Sequence, residues 1–343
     1  MAQQVPESEG MSDARIVMSR PREPMPAGFF GMAVGILALA ATWRVGVRLW
    51  HLPVHAATAA TALALLIWVT VLAGYARKWR IQREAAIAEW NHPIHSSLIA
   101  LGPVSTMLAS QAVLSWSRYV AITLFAVGVA TQLGLGVALH GRLWQGGRRM
   151  ETITPVVYLP TVAPSFVAAA TSAAFGWPSL GALFFGAGML AWLANESLIL
   201  QSAAEAEPVA APLRPTLGIQ LAPPVVGGVA WLGVSGGVPD YFAYGLLGYG
   251  LYQALLLLRL LPWISKQPFT PSYWGFSFGV AALPTMAMLL VEHGASDLFK
   301  VLACTLFIAA NVVIGILILL TINLMLNGKL LPAVQSGRLI GPR

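Results

Sequence analysis

Residues 271–327 read PSYWGFSFGVAALPTMAMLLVEHGASDLFKVLACTLFIAANVVIGILILLTINLMLN. They hold two apolar runs, at about 270 to 292 and 299 to 327, joined by the polar turn His293-Gly294-Ala295-Ser296-Asp297. Each run reaches the roughly 20 residues that an α-helix needs to cross about 30 Å of hydrocarbon. The two differ in kind. The first opens on Pro271 and is broken inside by Gly275, Gly279 and Pro284, whereas the second is smooth and rich in Leu, Ile and Val. The stretch therefore reads as a membrane hairpin of one irregular and one regular helix.

The same unit recurs along the chain. Apolar runs at about 26 to 46, 55 to 76, 94 to 116, 119 to 141, 155 to 175, 179 to 202, 215 to 235 and 240 to 262 precede it, giving ten spans. Every odd span begins near a proline: Pro26, Pro93, Pro155, Pro215 and Pro271. Each also carries a second break further in: Gly31 and Gly35, Gly102 and Pro103, Pro160 and Pro164, Pro223 and Pro224, then Gly275, Gly279 and Pro284. Interior proline removes a helical hydrogen bond, and glycine lets backbones approach closely. Freed backbone groups are costly against lipid unless protein or a wet cavity satisfies them. The odd spans are thus expected as an inner ring of kinked helices and the even spans as an outer, lipid-facing ring. The fold class is an all-α membrane protein: ten transmembrane helices as five helical hairpins in a quasi-fivefold arrangement around a central pore.

Composition agrees. Of 343 residues, 57% are hydrophobic and only 10% charged, far below the one-quarter charged residues of soluble domains, and the mean hydropathy is +0.72. Residues 1–25 are polar with mixed charge and lack a signal-peptide core, so they are expected as a disordered cytoplasmic tail, with 26–331 as the channel domain and 332–343 as a second short tail. The net charge of +7 does not point to nucleic acid, because the basic residues sit in short connections between apolar runs. Of the 20 Lys and Arg residues, only Arg44, Arg48, Arg118 and Lys300 fall on one side of a ten-span topology. The positive-inside rule assigns the other side, with both termini, to the cytoplasm.

Ionisable residues inside spans are expensive and mark function. The odd spans have none between their ends, and only Glu196 and Arg259 intrude on the even ones, at similar depth, as a candidate ion pair. His92 and His95 have a ligand-like spacing, but no second His or Cys cluster completes a metal or haem site, and Cys304 is the sole cysteine. No phosphate-cradling loop or nucleophile elbow occurs. The expectation is no cofactor, no metal and no catalysis, which leaves a haem or redox protein as the weakest reading.

The stretches Pro26-Ala-Gly-Phe-Phe-Gly, Asn91-His-Pro-Ile-His-Ser-Ser, Tyr158-Leu-Pro-Thr-Val-Ala, Leu217-Gly-Ile-Gln-Leu-Ala-Pro and Tyr273-Trp-Gly-Phe-Ser-Phe-Gly resemble the tellurite-resistance and dicarboxylate-transporter family, relatives of the plant guard-cell slow anion channels. The resemblance runs from about Pro26 to Leu331. It implies a homotrimer in the bacterial inner membrane, each protomer with its own pore for small monovalent and larger anions, closed midway by a phenylalanine on the ninth span. Phe278 matches that position. From the residues alone, Phe278 fits equally as ordinary core packed against span eight or ten, with Phe276 turning elsewhere, although Gly275 and Gly279 are near enough on the helix to give the ring of Phe278 space. The alternative is an alternating-access carrier for tellurite or C4-dicarboxylates.

Overall fold

A computed structural model describes residues 24–147 and 149–331; the expected tails fall outside the described residues, apart from positions 24 and 25. Among the described residues all regular structure is helical. Ten segments are long and apolar enough to span a membrane. The odd ones are Ala27–Trp50, His95–Val113, Pro155–Ala174, Ala211–Val234 and Pro271–Glu292, and the even ones are Val54–Ile81, Arg118–Trp144, Pro178–Glu205, Tyr241–Ile264 and Asp297–Leu326. Span two runs on through Arg77, Lys78 and Arg80, and a short linker helix, Arg83–Asn91, follows it. The apolar pattern ends before these residues, but Arg77 and Arg80 are exposed and Lys78 turns inward to the linker helix, so the charges do not break the helix.

Burial separates the two sets. In the most apolar window of each odd span 67–78% of residues are buried, against 22–33% in the even spans. Leu183, Leu190, Val301 and Leu319 on the even spans stand exposed, as side chains facing lipid do. Each even span packs on the odd span before it. Span one meets spans three and nine, three meets five, five meets seven, and seven meets nine, so the odd spans close a ring.

The breaks in the odd spans take a specific form. Four enter as 3-10 segments, Ala27–Phe29, Pro155–Tyr158, Ala211–Leu221 and Pro271–Phe276, and the fifth as a single turn, His95–Leu98. Regular α-helix then begins at Phe30, Leu101, Val162, Ala222 and Ser277. Pro103, Pro164, Pro223 and Pro224 therefore lie in the first turn of these second helices, where a backbone N–H has no helical acceptor. They start helices; they do not kink them. Of the prolines expected to break the odd spans, only Pro284 sits deep within an α-helix, Ser277–Glu292. At the span-five break the Pro160 carbonyl, four residues ahead of a proline with no N–H, accepts from Gln132 Nε2 of span four at 2.6 Å.

Side chains lock the ring. Thr42 of span one donates to the Ala281 carbonyl at 3.0 Å and bonds the Thr285 hydroxyl at 2.7 Å, while Gln111 Nε2 of span three donates to Thr171 Oγ1 of span five at 2.8 Å. A Cβ on Gly35 would overlap Ser277, and one on Gly279 would lie 2.7 Å from the Cβ of Leu221, so spans one, nine and seven meet at a distance only glycine permits.

Candidate permeation path

The ring encloses two cavities. The larger, about 400 Å³, opens on the side where the odd spans begin, and all five odd spans line it. The smaller, about 60 Å³, lies further along the same helices and is lined by the odd spans alone. Span one contributes Gly31 and Val34 to the first and Ala38 and Ala41 to the second. Span five contributes Leu159 and Ala163, then Val167 and Ala170; span seven Ile219 and Ala222, then Val226 and Val229. Steps of three and four put each set on one helical face. The stripes are built from small and aliphatic residues, and only Gln111 and Thr285 bring polar side chains to the second cavity.

On span nine the stripe is Gly275, Phe278, Ala282 and Thr285, and Phe278 alone lines both cavities. Its half-buried ring stands between them. Phe276 turns aside: its ring fills the space a Cβ on Gly218 would need, against the 3-10 segment of span seven.

The structure redistributes the other residues expected at the pore. Gly31, Pro223 and Gly275 line the larger cavity. Gly35 faces Ser277, while Gly102 and Pro103 line an outer groove beside Phe30 and Trp68. Pro160 lines a separate pocket on the side where the odd spans begin, and Pro164, Pro224, Gly279 and Pro284 line neither central cavity. A Cβ at Gly275 would meet the Pro215 carbonyl at 3.2 Å, so Gly275 and Gly279 hold span seven close and do not make room for the Phe278 ring.

Glu196 and Arg259 do not pair. Glu196 accepts instead from Trp192 Nε1 at 3.0 Å, Gln220 Nε2 at 2.9 Å, Tyr249 Oη at 2.8 Å and Tyr158 Oη, while Arg259 is exposed on span eight. Neutral donors from spans five to eight saturate the carboxyl group, so no cation is needed.

Sequence reading missed a second carboxylate. Glu89, on the linker helix outside the spans, lines the larger cavity. It is paired with Lys78 Nζ at 2.8 Å, with side-chain exposures of 8% and 4%, and it accepts the Ala27 N–H at 2.8 Å, capping the entry to span one. Its charge is thereby neutralised, and Lys329 lines the same cavity without an ion-pair partner among the described residues. The Glu89–Lys78 spacing of eleven residues crosses a helix break, so no helical periodicity signals it.

Ten helices, five of them closing a ring around an apolar, interrupted path and five packed outside it, are the architecture of a membrane channel or transporter. The family model described as SLAC1, voltage-dependent anion channel, matches residues 24–322, and the chain belongs to that family. It is 36% identical over 309 residues to the tellurite resistance protein TehA homolog of Haemophilus influenzae, covering 89% of this chain and 92% of that one. It is also similar to two Arabidopsis thaliana proteins named S-type anion channels: SLAH4, 24% identical with 96% and 89% covered, and SLAH3, 22% identical with 90% and 49% covered.

Proposed function

We propose that this protein is a gated anion channel of the bacterial inner membrane, with both termini in the cytoplasm and Phe278 as its gate. The observation that carries the reading is that Phe278 alone borders both axial cavities. An apolar plug in an apolar neck blocks ions by sterics and by excluding water, and one side-chain movement suffices to open it. The five hairpins stand about a quasi-fivefold axis, so that each protomer of a homotrimer has its own pore.

Anion preference follows from what lines the path. Among the described residues the one carboxylate there, Glu89, is cancelled by Lys78, and Lys329 leaves the wider mouth positive, which raises local anion concentration. With no basic ring at the neck, selection rests on the cost of dehydration, and easily dehydrated anions pass best. The channel reading is favoured over the alternating-access carrier for tellurite or C4-dicarboxylates by the locked ring, in which glycine contacts and buried hydrogen bonds join spans one, seven and nine. Chloride and nitrate currents across a planar bilayer, from the parent and Phe278→Ala, test it. Coupled turnover that saturates with substrate and carries no current would refute it.

A further inference from the structure

A second pocket, about 200 Å³, lies outside the ring, between the start of span three, the end of span four and the start of span five. Asn91, His92, Ser96, Ser97, His140 and Arg142 line it, and among the described residues no acidic one does. Ser96 and Ser97 are 7% and 3% exposed, and among the described residues neither hydroxyl has a hydrogen-bond partner. The two residues are largely buried and their hydroxyls open on the pocket, so both are free to donate to a group bound there.

The other groups define its chemistry. His92 Nδ1 accepts the N–H groups of Ile94 and His95, each at 3.1 Å, so in the neutral ring the proton sits on Nε2 and that nitrogen donates. Arg142 lies over the Trp90 ring, 4.9 Å from its centroid, and donates from one nitrogen to the Trp90 carbonyl at 3.0 Å, leaving further N–H groups and an unneutralised charge. A pocket of hydroxyl, imidazole N–H and guanidinium donors with no carboxylate fits a tetrahedral oxyanion. At about 200 Å³ it is smaller than a typical drug-sized site.

The pocket shares its walls with the path. In the turn His95–Leu98, Ser96 and Ser97 line the pocket while His95 and Leu98 line the larger axial cavity. In the entry to span five, Val157 and Pro160 line the pocket while Tyr158 and Leu159 line the cavity. We infer that this pocket binds a phosphate-type oxyanion, free or as a lipid headgroup, and that its occupancy sets the width of the adjoining mouth of the path. The binding half stands without the channel reading; the coupling half rests on it.

The test uses the purified full chain with inorganic phosphate as probe. In detergent, phosphate at constant ionic strength raises the thermal midpoint of the parent relative to chloride. The Ser96→Ala/Ser97→Ala variant and, separately, Arg142→Gln raise the half-saturating phosphate concentration by about tenfold or more, as loss of charge-assisted bonds implies. In bilayers, phosphate on the side of Gly147 changes the chloride current of Phe278→Ala, and the serine substitutions added to that background abolish the change. If free phosphate is silent but bilayers with anionic phospholipid alter the current in a serine-dependent way, the headgroup is the ligand. A response unaltered by either set of substitutions, or no response to phosphate and anionic lipid alike, overturns the site. Binding without any change in current overturns the coupling. Should Phe278→Ala carry no current at all, the channel reading fails while the thermal measurement still decides the site.

Discussion

Replacing Phe278 with alanine removes the one side chain shared by the two axial cavities, and so joins a space of about 400 Å³ to one of about 60 Å³. Val34, Ala163 and Ala222 of the larger cavity and Ala282 of the smaller are small side chains that do not refill the space left by a phenyl ring. Each 1.4 kcal/mol taken off a barrier is tenfold in rate, and moving an ion past an apolar ring costs more than that, so anion current should rise at least about tenfold. Stability should change less. Removing a fully packed phenylalanine costs about 3 to 5 kcal/mol, which is the expectation for Phe166, 0% exposed. Phe278 is half-buried with open space on both sides, so its loss should cost roughly half as much. The assay is current from purified protein in a planar bilayer, paired with thermal unfolding in detergent. Phe276→Ala is the control, because that ring packs on Gly218 away from the path and should leave it shut. A well-folded Phe278→Ala that conducts no more than the parent, or an open Phe276→Ala, refutes the gate.

Further outcomes follow from the packing. Lys78→Met strands the Glu89 carboxylate in a buried site and should destabilise by about 3 to 5 kcal/mol, with much of the loss recovered when Glu89→Gln is added; thermal unfolding of both variants measures this. Glu196→Gln turns an all-acceptor group toward four donors and should cost about 1 to 3 kcal/mol, whereas Arg259→Gln should stay within about 0.5 kcal/mol, and a double-mutant cycle should find no coupling between them. Reporter fusions at Gly147 should read as cytoplasmic and one at Gly237 as the opposite side, as the distribution of Lys and Arg requires. Cross-linking in detergent should stop at three chains, and a concatenated trimer with one Phe278→Ala subunit should show additive conductance; a dominant effect would instead mean a shared pore.

The number of spans and the pairing of irregular with smooth helices were legible in the sequence, because both depend on local composition. A run such as 299 to 327 is dominated by Leu, Ile, Val and Ala, with Lys300 its single charge and close to one end, and its length makes it a span. The difference in burial between odd and even spans was legible for a related reason: proline and glycine breaks survive only where protein surrounds them. Tertiary structure decided which residues of a kinked helix face the axis. Gly31 and Gly35 are one turn apart on one α-helix, yet the crossing of spans one and nine leaves the first at the cavity wall and sets the second against Ser277. The choice between Phe276 and Phe278 depends on the point where 3-10 winding gives way to α-helix at Ser277, since the two windings advance a residue by different angles. The partners of Glu89 and Glu196 were hidden for the same reason. Hydropathy records what a residue costs in lipid, but the donors that relieve that cost come from helices brought together only by the closed ring.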